Sequence, residues 1–387
     1  MKNIVVLYTE AGGGHKVAAL ALKDIIQKNP DYQVILINPF EEMYEKFDII
    51  KKFTGRSSET VYNEFVSAHE NSLIRLLLIS LLFKFNLIFY RKKLIKEIEM
   101  NWKKIKFDMV VSVVPFINSL INDSLKNTLP LVPFVTLPTD YSECANSIWF
   151  TSKEQFLICG TQKLLEQAIQ KGHPPDRIFR TSGMIVRPAF YEISDDGRNA
   201  QKSRLGLRSD LKTGLVMFGM CGSDLMLQIA KKMNNTGLGI QVIFICGKNK
   251  IMKKRIDALP LDYPILTTES VDDVQNYMGV SDFFIGKPGG ASISEAAIMK
   301  LPIIVELNSL TLLQEKYNAS WVAENKIGLC VKNFSNIAQA VKEVLDKLPD
   351  FKENYKQLSN RGIFEIPDIL EKILKNSQIK NAPVYKV

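Results

Sequence analysis

The chain has 387 residues, 46% hydrophobic and 24% charged, and its 50 Lys and Arg against 41 Asp and Glu give a formal net charge of +9. That length accommodates two domains with separate cores, and the composition excludes a disordered chain. Five scattered cysteines, Cys144, Cys159, Cys221, Cys246 and Cys330, form no C-x-x-C pair and no metal spacing, which predicts reduced cytosolic thiols rather than a disulfide framework.

In chain order, residues 4–8, 34–37, 109–114, 132–137 and 156–159 are short apolar runs that predict buried strands. The first run is too short for a signal peptide and passes straight into a glycine turn. Residues 15–27 carry apolar positions at helical spacing. Residues 73–90 are strongly apolar but interrupted by Arg75, Lys84 and Asn86, which argues against a transmembrane span. Arg91, Lys92, Lys93, Lys96, Lys103, Lys104 and Lys106 follow, against Glu97 and Glu99. An apolar surface beside such a cluster suits an interfacial helix on anionic lipid; the alternative is a core helix with a solvated basic face. A phosphate-bearing substrate also fits the positive charge. No nucleic-acid reading module accompanies it, so nucleic acid is not expected.

A polar stretch after Val186-Arg187-Pro188 marks the domain boundary, dividing residues 1–190 from 191–366. Strands are predicted again at 214–218, 241–245, 265–267, 283–285 and 303–306. A helical segment at 367–375, within the tail 367–387, is expected to pack back on the first domain. Strands alternating with helices in both halves predict an α/β chain of two doubly wound parallel sheets, with the ligand site at strand C-terminal ends, in a cleft between the domains.

Two turns carry chemistry. Gly12-Gly13-Gly14-His15 follows the first strand and opens the first helix. Its glycines permit a tight turn and expose N–H groups at the positive end of a helix, although the turn does not satisfy the dinucleotide fingerprint G-x-G-x-x-G. A neutral imidazole at His15 can take a proton from a hydroxyl nucleophile, and a helix N-terminus disfavours its charged form. His173 reads as a loop residue, and His69 is left open.

The second turn is Gly286-Lys287-Pro288-Gly289-Gly290-Ala291-Ser292-Ile293-Ser294-Glu295. The N–H groups of Gly289, Gly290, Ala291 and Ser292 can hold a diphosphate, and a carboxylate one turn on, Glu295, can accept the two hydroxyls of a ribose. Either turn alone is also an ordinary structural connection; together, in a two-sheet chain, they point to a nucleotide-sugar site.

These residues resemble the monogalactosyldiacylglycerol synthase and processive diacylglycerol glucosyltransferase group of MurG-like glycosyltransferases. The likeness runs through the glycine–histidine turn, Thr136-Leu137-Pro138-Thr139-Asp140 with Trp149-Phe150, the hinge from Gly183 to Phe190, the second glycine turn, and Gln314-Glu315 with Asn318. It implies a GT-B fold of two Rossmann-like domains facing across a cleft. The implied donor is a UDP-sugar and the implied acceptor diacylglycerol or a glycosylated form of it, on the cytosolic face of a membrane. It also implies uracil recognition near Ser270, Val271 and Asp272, ribose binding by Glu295, and sugar contacts from Gln314 and Glu315. Gly14 and Gly219 would line the substrates, and His15 would lie by the acceptor, with Asp140 the other candidate base.

No D-x-D triplet occurs, so neither a metal nor a cofactor beyond the donor is expected, and Lys248 or Lys287 is left to balance the leaving group. The second half also lacks two glutamates eight apart, which favours inversion over retention. Residues 307–313 replace the group's usual proline–glycine pair, and the turn 218–223 is thinned in glycine; both leave glucose, galactose and N-acetylglucosamine open as donor sugar. A same-fold UDP-sugar epimerase and a non-catalytic UDP-binding membrane protein are the rival readings.

Overall fold

The computed structural model describes residues 1–68, 73–141, 148–194, 197–220 and 222–379, with backbone alone for 65–68, 73–80 and 378–379. Thus His69, Cys144, Asp195, Asp196 and Cys221 lie outside the described residues. The chain divides into two compact units: Met1–Tyr62, Arg75–Val186 and Asn360–Val387 form the first, Asn63–Ile74 and Arg187–Ser359 the second.

The first unit holds one parallel sheet of β1 (Lys2–Leu7), β2 (Tyr32–Ile37), β3 (Met109–Ser112), β4 (Phe134–Thr136), β5 (Phe156–Cys159) and β6 (Ile178–Arg180), in the order β2-β1-β3-β4-β5-β6. Every residue of β3 and β4 is buried, as helices on both faces of a parallel sheet require. On one face Val5, Leu7 and Val110 pack with Leu94, Ile98 and Trp102 of the helix Arg91–Trp102 and with Leu120, Ile121 and Leu125 of Asn118–Thr128. The last helix, Gly362–Ile379, begins five residues before the expected segment and belongs to this unit. Glu365 on it accepts hydrogen bonds from the backbone N–H and hydroxyl of Ser182.

The second unit repeats the plan with β7 (Lys212–Met217), β8 (Ile240–Ile245), β9 (Ile265–Thr268), β10 (Phe283–Gly286), β11 (Ile303–Glu306) and β12 (Gly328–Val331), in the order β12-β11-β10-β7-β8-β9. Its core joins Val216, Val242, Phe244, Phe283 and Ile285 to Met226, Ile229 and Met233 of the helix Leu225–Met233.

Strand order reverses once in each sheet, between β1 and β3 in the first and between β7 and β10 in the second. Consecutive loops part in opposite directions at such a point and leave a crevice at the strand C-terminal ends. Leu7 is level with Ser112, and Met217 with Gly286, so the loops that follow those residues define the two crevices.

Candidate active site

In the first unit, Gly12 and Gly13 adopt φ of 72° and 82°, and Gly13 caps the helix Gly14–Ile26 from the left-handed region. A side chain at Gly13 would strain that cap. Gly13, as a glycine, supplies no side-chain cap to the first-turn N–H groups, which have no carbonyl one turn earlier in the helix to bond. The turn is braced from behind by Glu59, 8% exposed, which accepts from the Thr9 hydroxyl, from the Glu10 N–H at 2.8 Å and from the Asn38 amide at 3.1 Å. Lys16 pairs with Glu10.

His15 projects from the first turn of that helix toward the loop after β3. Its Nδ1 lies 2.8 Å from the Val113 carbonyl oxygen and 3.1 Å from Thr139 Oγ1. A carbonyl can only accept, so Nδ1 carries the proton and a neutral ring keeps its lone pair on Nε2. Next to Thr139, Asp140 accepts from the indole N–H of fully buried Trp149 at 3.2 Å, and the Trp149 ring stands 6.1 Å from the imidazole. Gln155, also fully buried, donates to the Trp149 carbonyl at 2.7 Å and accepts from the N–H groups of Thr151 and Ser152. His15 and Asp140 are thereby set in one arrangement, each held by partners fixed to the sheet.

In the second unit, β10 leads through Lys287-Pro288-Gly289 into the helix Gly290–Ile298. The Gly289 N–H bonds back to the Lys287 carbonyl at 2.8 Å, so the donors open at the helix start are those of Gly290, Ala291 and Ser292, which no side chain caps. Fully buried Asn318 donates to the Pro288 carbonyl at 2.9 Å and clamps the turn. Lys287 Nζ is 3.4 Å from Glu315 Oε1, whereas Lys248 is exposed. Gly219, at φ 78°, admits the lysine stem: a Cβ there would meet Lys287 Cε at 3.3 Å. Gln314 precedes Glu315 on the helix Leu313–Glu324.

Glu295 is buried on the helix Gly290–Ile298, and burial pushes its carboxyl up to about 7, with the Arg187 guanidinium pulling the other way from 4.0 Å. Arg187 also donates to the Asp272 carbonyl at 2.7 Å and so ties the loop of Ser270 and Val271, which follows β9, to the carboxylate.

Sequence reasoning missed Glu59, Gln155 and the part played by Arg187. Glu59 and Gln155 brace a turn far from them in the chain and carry no motif; Arg187 stood in plain view in the hinge. His173, read as a loop residue, is 6% exposed against the Phe150 ring. Burial holds its imidazole pKa below the ordinary value. Within the basic cluster, Arg91 pairs with Asp123 and reaches Ser119 at 3.3 Å, which removes it from the free cations expected there.

Residues 15–186 match the family model of monogalactosyldiacylglycerol (MGDG) synthase, and residues 220–373 match that of the glycosyltransferase family 28 C-terminal domain. The chain is 26% identical over 369 residues to the chloroplastic monogalactosyldiacylglycerol synthase of Spinacia oleracea, covering 88% of this chain and 66% of that one. It is 27% identical over 401 residues to monogalactosyldiacylglycerol synthase 2 of Arabidopsis thaliana, covering 94% of this chain and 79% of that one. Its fold is similar to that of Acinetobacter baumannii MurG, with a TM-score of 0.62 at 13% identity over 96% of this chain and all of that one. The architecture is thus the GT-B class of two Rossmann-like units. Residues 15–186 thus resemble the monogalactosyldiacylglycerol synthase family, and residues 220–373 carry a glycosyltransferase family 28 C-terminal domain, one region following the other in order.

Proposed function

We propose that the chain moves a hexose from a UDP-sugar to diacylglycerol, or to a glycosyl-diacylglycerol, with inversion at the anomeric carbon and at a membrane surface. The observation that carries the donor half is the grouping of three open helix N–H groups, Lys287, Glu315 and buried Glu295 around one strand–helix turn. The N–H groups and Lys287 suit a diphosphate; Glu295 suits ribose hydroxyls; Gln314 and Glu315 suit the sugar. The family match over residues 15–186 supports a diacylglycerol acceptor.

In this reading the acceptor hydroxyl oxygen attacks C1 of the sugar, the C1–O bond to the β-phosphate breaks, and UDP leaves with the bonding pair. Nε2 of His15 takes the hydroxyl proton, since Nδ1 is committed to Val113; Asp140 is the alternative base.

The helix Leu73–Phe89 supplies the membrane face. Over its described side chains, Phe83, Asn86 and Leu87 turn inward, while Leu81, Leu82, Phe85, Ile88 and Phe89 are exposed at 60%, 49%, 60%, 74% and 67%. Phe85 stacks on Phe89 and Phe89 meets Tyr90 edge-on, with Lys52 and Lys93 over the Tyr90 ring at 5.6 and 5.9 Å. An apolar face rimmed by lysines fits the boundary of an anionic leaflet. Among the described residues no helix is long and apolar enough to cross a membrane.

The test is a screen of UDP-glucose, UDP-galactose and UDP-N-acetylglucosamine against diacylglycerol and monohexosyl-diacylglycerol in vesicles, with products and anomeric configuration identified. Sugar isomerisation without any lipid acceptor would replace the reading with an epimerase.

A further inference from the structure

Lys287 lies where the second sheet reverses its strand order, and its ammonium is neutralised by the chain's own Glu315 rather than left open for a ligand. Both side chains are largely shielded, 22% and 13% exposed. A Cβ on Gly289 would stand 3.5 Å from Lys287 Cε and 3.8 Å from Glu315 Oε1, so the ion pair spans the glycine turn itself. Glu315 and Asn318 share the helix Leu313–Glu324, and Asn318 is the residue that clamps this turn. The carboxylate is therefore fixed to the same rigid frame as the open N–H groups of Gly290, Ala291 and Ser292.

We propose that Glu315 is a built-in stand-in for the donor's diphosphate: it holds Lys287 in the empty site, yields it when a nucleoside diphosphate-sugar binds, and takes it back to help expel the nucleoside diphosphate. The inference rests on the donor reading above and adds a release step to it. A diphosphate brings at least two negative charges to a place where Glu315 already supplies one, so the two anions compete for one cation. While the sugar is attached, the displaced carboxylate has a new partner, because a carboxylate accepts hydrogen bonds from sugar hydroxyls. After transfer those hydroxyls are gone, and only the repulsion and the claim on Lys287 remain. The pair thus favours the donor over the spent nucleotide at one subsite.

The experiment is titration calorimetry of UDP and of the active UDP-sugar with wild type, Glu315→Gln, Lys287→Met and Lys287→Arg, with circular dichroism checking the fold of each. Lys287→Met should weaken UDP about 10- to 100-fold, and Lys287→Arg should restore most of the loss. Glu315→Gln should tighten UDP about 2- to 10-fold while leaving the UDP-sugar no tighter, because a fraction of Lys287 is no longer tied up. A purely structural pair would instead give weaker UDP binding in Glu315→Gln, and that result, or an unchanged affinity, overturns the proposal. The wild-type titration separates the two levels: a protein that does not bind UDP at all removes the donor reading, whereas UDP binding that Glu315→Gln fails to tighten removes the stand-in alone.

Discussion

At the strand-order reversal of the first sheet, a glycine turn after β1 opens the helix Gly14–Ile26; at that of the second, a glycine turn after β10 opens Gly290–Ile298. Both helices begin without a capping side chain, so the backbone offers an anion the same welcome twice. The side chains around the turns differ. Behind the first sits the buried carboxylate of Glu59, and Lys16 is spent on Glu10. Beside the second stands Lys287, with Arg187 held against Glu295. A helix N-terminus thus contributes the same partial positive charge in both places and does not by itself set the ligand. The charge set around it suits one turn to an uncharged hydroxyl beside an imidazole and the other to a diphosphate.

The largest effect expected from this contrast is at His15. His15→Ala should lower kcat by roughly 10²- to 10⁴-fold, the range for loss of a general base. UDP affinity should stay unchanged in calorimetry, since His15 belongs to the first turn. Parallel loss of UDP binding and turnover would mean that the first turn also holds the nucleotide, and the contrast would collapse. Near-normal turnover would move the base to Asp140.

Glu295 sharpens the other side. Glu295→Ala should weaken UDP by about 1.5–3 kcal/mol, the range for a hydrogen bond to a charged group. Because burial pushes this carboxyl up to about 7, it is partly protonated near neutrality in the free protein. The ionised form is the one that accepts both ribose hydroxyls, so affinity for the UDP-sugar, whose doubly esterified diphosphate does not titrate in this range, should rise from pH 6 to pH 8. Binding near pH 6.5 should release protons, seen as a calorimetric heat that depends on the buffer's ionisation enthalpy. Glu295→Gln should abolish both signatures. A wild-type affinity flat across that range, together with unchanged binding in Glu295→Ala, would place the ribose elsewhere.

The central strands were legible because both faces of a parallel sheet are covered, which leaves continuous apolar runs such as Met109–Ser112 and Ile240–Ile245. The strands β6 and β12 were missed; each is an edge and only partly buried, Ile178–Arg180 has just two apolar residues between arginines, and the short apolar run of Gly328–Val331 was passed over. The polar stretch read as marking the domain boundary contains the helix Arg198–Arg204. What organises it is remote: buried Asp282 draws in Arg198 at 3.2 Å, Lys212 at 3.5 Å and Lys202 at 3.9 Å. At the site, the glycine turns with His15, Lys287 and Glu295 stood out by residue type and place, whereas Gln314 and Glu315 came only through the family resemblance. Glu59 and Gln155 were not, because a brace is defined by what it touches after folding.

The two units differ at the surface as well, and here the expected effect is smallest. Among the described side chains, the large exposed apolar ones of the second unit are Ile251, Leu310 and Leu313, whereas Leu81, Leu82, Phe85, Ile88 and Phe89 share one helix face in the first. Exposed Lys92 and Lys93 follow that face directly, while exposed Lys231 and Lys232 lie on a helix of the second unit with no such neighbour. Each lysine near an anionic surface contributes about 1 kcal/mol at most, and the attraction decays within a Debye length of about 10 Å at 0.1 M salt. Lys92→Gln with Lys93→Gln should therefore weaken co-sedimentation with vesicles containing phosphatidylglycerol by up to roughly 30-fold and lower its salt sensitivity. Lys231→Gln with Lys232→Gln removes the same charge and should change binding little. Equal losses in both doubles would show that net charge alone draws the protein to lipid, and the apolar helix face would lose its claim as the docking surface. Neutral vesicles separate the remaining contribution. If wild type still binds them weakly and without salt dependence, the aromatic face inserts by itself; if it does not, the lysines must engage before Phe85 and Phe89 can.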